Sequence, residues 1–130
     1  MRCARSRGPG ARAAVFLIAL PMMGGCLREP PLVEASTGGS PARGIEVIRA
    51  TGCGSCHSIP GVRNANGKVG PPLTSFAART YIAGRVPNTP SNLVLWIENP
   101  PAIDPATAMP RLGLSERQAR DAAAYLYTLH

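Results

Sequence analysis

Two thiols and an imidazole stand together at Cys53-Gly54-Ser55-Cys56-His57, and this spacing is the one that clamps a c-type haem. Each thiol can add to one vinyl group of the macrocycle. The next residue then lies under the porphyrin face, where the His57 imidazole reaches the iron. A second donor is sought among the sulfurs: of the four methionines, Met1, Met22 and Met23 lie near the N-terminus and Met109 alone lies downstream. A thioether is a soft ligand for haem iron, and Pro110 biases Met109 toward an extended backbone in a loop. The bland alternative for a lone methionine is packing. The chemistry read from these residues is one-electron transfer at a six-coordinate iron.

Other readings of the thiols are weaker. A zinc knuckle needs four Cys or His ligands, and only His130 is left to join the motif. A redox dithiol belongs at a helix start in a βαβ pattern, and nothing downstream alternates like strands. If Met109 does not bind, an open iron suits a haem peroxidase or a gas sensor. If no haem is attached, a membrane-tethered thiol oxidoreductase is the alternative.

The N-terminal segment reads as an export signal. Arg2, Arg5, Arg7 and Arg12 form a positive region, Ala13 to Leu20 an apolar one, and Pro21 and Gly24-Gly25 close it ahead of Cys26. The apolar stretch is short for a bilayer-spanning helix. Met23-Gly24-Gly25-Cys26 resembles the bacterial lipobox, which implies cleavage after Gly25 and a lipid on Cys26; ordinary cleavage with a free Cys26 is the alternative. Acyl chains there would hold the protein stably on the periplasmic side of a bacterial membrane. With Cys3 in the leader, Cys26 on lipid and Cys53 and Cys56 on haem, no cysteine remains for a disulfide.

The full chain carries 14 basic and 7 acidic residues, a net charge of +7. Four of the basic residues fall in the leader, so the exported form is much closer to neutral. The remaining arginines are scattered and few aromatics interleave them, so no nucleic-acid partner is expected. Leu27 to Pro41 has linker composition and predicts a tether that lets a domain ride on the order of 20 Å from its anchor. The expected organisation is therefore residues 1–25 as signal, 26–41 as tether and 42–130 as one domain, whose small core a large apolar cofactor completes.

Within that domain the periodicity is helical. Gly44, Ile45, Ile48, Thr51 and Gly52 share a face over Pro41 to Gly52. Ser91-Asn92 can cap a second helix carrying Leu93, Val94, Trp96 and Ile97, which Pro100-Pro101 stop. Ser115 to Gln118 is a capping-box pattern, followed by Ala119, Ala122, Ala123, Leu126 and Leu129 at helical spacing. A brief helix is expected over Leu73 to Ala78, and no strands.

Taken together, the haem motif, Gly70-Pro71-Pro72-Leu73 and Ala108-Met109-Pro110 resemble class I cytochromes c across nearly all of Ala42 to His130. The resemblance implies an all-α fold of helices wrapped around one covalently attached haem c. It implies His57 and Met109 as the axial ligands, and the Pro71 carbonyl as acceptor of the proton on the outer nitrogen of His57. Arg79, Tyr81 and Trp96 would place donors beside the haem propionates; the bland reading makes Trp96 core and Arg79 a solvated charge. Pro87 to Leu93, Trp96 and Gly113-Leu114-Ser115 further resemble the cytochrome c domain fused to subunit II of some haem-copper oxidases. The expectation is a free-standing electron carrier rather than an enzyme, serving a redox donor and acceptor, with such an oxidase as partner or as the complex it joins.

Overall fold

A computed structural model describes residues 36–130. The expected signal segment, Cys26 and most of the expected tether lie outside the described residues. The end of that tether is part of the domain, however. Thr37 and Ser40 are 2% and 3% exposed. Ser40 N–H donates to Asp121 Oδ1 at 2.7 Å, and Arg120 Nη1 donates to the Thr37 carbonyl at 3.0 Å. Small polar residues that read as linker by composition can hold a strap against a helix through their backbone groups. The packed domain thus begins before Ala42, the expected boundary.

Helix α1, Pro41–Ala50, starts where Ser40 Oγ accepts from Arg43 N–H and proline stands in the first turn. It stops short of the expected Gly52, which adopts φ 72 and turns the chain into the haem motif. Helix α4, Glu116–Leu126, carries both bonds of the capping box: Ser115 Oγ accepts from Gln118 N–H, and Gln118 Oε1 accepts from Ser115 N–H at 3.0 Å. Its Ala119, Ala122, Ala123 and Leu126 face is buried as expected, while Leu129 lies beyond the helix in a closing turn. The crossing of α1 over α4 is close because Gly44 has no side chain; a Cβ there would overlap the Asp121 carbonyl.

Helix α2, Pro90–Glu98, is capped by Thr89 rather than by Ser91 or Asn92. Pro90 explains the shift, since its fixed φ and missing N–H suit the first helical position. Pro100-Pro101 do not simply end α2; after Asn99 they open a short α3, Pro100–Ile103. The helix expected over Leu73 to Ala78 is a single 3₁₀ turn, Phe76–Ala78, because Ser75 sits at φ 48 and breaks it from the residues before.

Against expectation there is a small antiparallel hairpin. Strands β1, Tyr81–Ile82, and β2, Val86–Pro87, pair Tyr81 with Pro87 and Ile82 with Val86. Ala83 and Gly84, both at positive φ, form the turn. Two residues per strand are too few to leave an alternating pattern. The architecture is otherwise helical. None of the described helices is long and apolar enough to cross a membrane.

Candidate functional site

The haem motif folds as a tight turn. Both Cys56 N–H and His57 N–H donate to the Cys53 carbonyl, at 3.2 and 3.0 Å. Gly54 is needed in that turn because a Cβ on it would overlap Ala65 from the next loop. Both thiols are free and partly buried, and with His57 they line a cavity of about 570 Å³.

His57 is held by its outer nitrogen. Nδ1 lies 2.7 Å from the Pro71 carbonyl, which can only accept, so Nδ1 carries a proton and the neutral ring has its lone pair on Nε2. The loop bearing Pro71 is fixed on both sides, by Gly70 N–H to the Cys56 carbonyl and Leu73 N–H to the Ser58 carbonyl, each 2.8 Å. It passes so near the imidazole that a Cβ on Gly70 would overlap the ring. Gly70 is therefore a site residue in its own right; the sequence offered it only as part of a motif.

Met109 reaches the same cavity from the loop between α3 and α4, partly buried. Its N–H donates to Thr107 Oγ1 at 3.2 Å. Trp96 lines the cavity from α2, beside Leu93 and Ile97, and is 8% exposed. Arg79 also lines it, but its guanidinium donates to the backbone carbonyls of Pro72 and Thr74 and lies 5.3 Å from the Phe76 ring centroid. Tyr81 is not brought to the cavity with the others: it is 56% exposed on β1, and its neighbour Ile82 lines the wall instead. Successive strand residues point to opposite faces, so one of the pair had to face out.

Two further groups were not anticipated. Asn88 Nδ2 donates to the carbonyls of Phe76 and Arg79 at 3.1 and 3.0 Å, while its Oδ1 accepts from Tyr127 O–H at 2.9 Å. This ties the Phe76–Arg79 turn to the end of α4. Arg85 and Asp104 pair beside the Met109 loop, at 2.9 Å. Neither group has a spacing signature, since each joins residues that only the fold brings together.

The donor set fits haem. The walls are mainly apolar, as a flat macrocycle requires. Two thiols stand next to an imidazole whose Nε2 is free to bind a metal, and a thioether lies on the same cavity. Among the described residues, no three His, Cys, Asp or Glu side chains converge as a protein-only metal site would need. Cys53 and Cys56 would hold the group through thioether bonds and His57 would bind its iron.

Comparison with known proteins agrees. Residues 41–130 match the family model described as Cytochrome c. Over 98 residues the chain is 33% identical to a protein of Alkalihalophilus pseudofirmus named cytochrome c oxidase subunit 2, covering 75% of this chain and 28% of that protein. The family match begins where α1 begins and runs through every wall of the cavity, so this chain belongs to the cytochrome c family, whose members bind haem c covalently and carry electrons.

Proposed function

We propose that this protein is a single-haem carrier that moves one electron at a time in a respiratory chain. It is anchored by a lipid on Cys26 to the periplasmic side of a bacterial membrane and delivers electrons to, or within, a haem-copper oxidase. The observation that carries the reading is the convergence of Cys53, Cys56, His57 and Met109 on one apolar cavity. Haem c, when bound, supplies a one-electron couple between ferric and ferrous iron. His57, oriented by Pro71, and Met109 would hold the iron of that group, and an imidazole with a thioether favours a high reduction potential suited to a late carrier. With both residues holding the iron, no position would be left there for a substrate. Apolar walls from Leu93, Ile97 and Leu126 exclude water and favour the form of lower net charge. Support for the oxidase as acceptor comes from the relative's printed name and from the sequence run Pro87 to Leu93.

Rapid mixing of the reduced, purified protein with a detergent-solubilised haem-copper oxidase in aerated buffer tests this. Oxidation of the carrier coupled to oxygen uptake is expected. A carrier that ferricyanide oxidises at once but the oxidase leaves reduced would remove the oxidase from the scheme.

A further inference from the structure

The loop that carries Met109 is organised around one carboxylate. Asp104, whose side chain is 16% exposed, follows α3 directly. Its Oδ1 accepts from Ala106 N–H at 3.1 Å and its Oδ2 from Arg85 Nε at 2.9 Å. Its own N–H donates to the Pro100 carbonyl, and its carbonyl accepts from Thr107 N–H, both at 3.0 Å. Thr107 Oγ1 in turn accepts from Met109 N–H at 3.2 Å. An unbroken run of bonds therefore leads from the Arg85 guanidinium to the Met109 backbone.

Arg85 approaches from a different segment. It closes the β1–β2 turn, where its N–H donates to the Ile82 carbonyl at 2.9 Å. Ile82, Ala83, Asp104, Thr107 and Met109 all line the cavity, whereas the Arg85 side chain is 56% exposed. The ion pair thus joins two stretches of cavity wall. Pro105 and Pro110 remove two amide donors from the Met109 loop, so side-chain bonds must supply part of what holds it.

We infer that Arg85 and Asp104 form a latch that keeps the Met109 loop closed on the cavity, which makes them positioning residues for the thioether. The inference rests on Met109 being the axial sulfur. Loops of this kind open locally at far lower cost than global unfolding, and the latch sets how often this one does. Opening withdraws Met109 and leaves that side of the cavity accessible to a small ligand. An exposed arginine contributes little to global stability, so latch and core are separable by substitution.

The test uses the haem-loaded full chain and reads the ferric near-infrared band of sulfur ligation, the carbon monoxide association rate of the ferrous form, and the global unfolding midpoint. Arg85→Ala should speed carbon monoxide binding by about two- to fivefold, the range for loss of an exposed ion pair. Asp104→Ala, which also frees the Ala106 amide, should speed it by about tenfold or more. Arg85→Lys should restore a rate near that of the wild type, and Arg85→Ala should leave the global midpoint unmoved. A wild type that has the sulfur band, with band and rate unchanged in both alanine variants, overturns the latch alone. A wild type that lacks the band and binds carbon monoxide as fast as Met109→Ala overturns the sulfur ligand, and the latch with it.

Discussion

His57 is placed by groups that differ in how visible they are in sequence. Its place after Cys56 is a matter of spacing, and so was legible. The Pro71 acceptor, 2.7 Å from Nδ1, was legible only through the Gly-Pro-Pro-Leu resemblance. The closeness of Gly70 to the ring was not, because a glycine carries no mark of what passes beside it. Gly70→Ala is expected to force the imidazole or the loop aside, costing about 1–3 kcal/mol as overpacking usually does. Chemical denaturation and the reduction potential check this: a lower midpoint with a shifted potential is expected, and wild-type values for both would show that the loop yields freely. Of the three residues expected near the propionates, Trp96 and Arg79 line the cavity and Tyr81 does not. Where Tyr81 lies depends on which way a two-residue strand faces, and so short a strand leaves no alternation to read.

At the scale of elements, the capping box of α4 and its alanine face were legible because both are local patterns. The α1 and α2 boundaries moved by a residue or two for local reasons as well, Gly52 at positive φ and Pro90 in the first turn. What local pattern could not give is the strap over residues 36–40, whose partners Arg120 and Asp121 lie some eighty positions away. Asp121 is 3% exposed and accepts from Ser40 N–H at 2.7 Å and from Arg43 Nε and Nη2 at 2.8 Å. Burial alone would raise its pKa, but the bonds from Arg43 and Ser40 and the charges of Arg43 and Arg117 outweigh it and hold the carboxyl below its ordinary value. A depressed folded-state pKa stabilises the fold above the unfolded value, about 3.9, and that contribution is lost as pH falls through the lower folded value.

Asp121→Asn should therefore cost about 1–3 kcal/mol near neutral pH, the range for buried hydrogen bonds to a charged group. The gap between variant and wild type should narrow as the pH is taken below about 4. Denaturation midpoints across that range decide it; a gap independent of pH would mean that the Asp121 charge does not contribute to holding the strap.

For the molecule as a whole, the core and the site are the same place. Ile48, Phe76, Ile82, Leu93, Trp96 and Leu126 are buried and also line the cavity, so the fold is a shell around space that a large apolar group fills. A domain of this size gains much of its core from such a group. The anchoring proposal also belongs at this scale. If acylation at that thiol supplies the attachment, Cys26→Ser is expected to move the protein from the membrane fraction to the soluble one. Fractionation with immunodetection reads the outcome; a variant that stays with the membrane would assign attachment to something other than a Cys26 lipid.

The central claim is that this chain carries haem covalently through Cys53 and Cys56, with its iron bound between the His57 nitrogen and the Met109 sulfur. The absorption spectrum of the purified, exported protein, taken ferric and ferrous and again after extraction with acidified organic solvent, tests it most directly. The account predicts sharp ferrous bands of a low-spin haem, a weak ferric near-infrared band from sulfur, and colour that stays with the polypeptide through extraction. A colourless protein, or pigment that passes into the solvent, would contradict it.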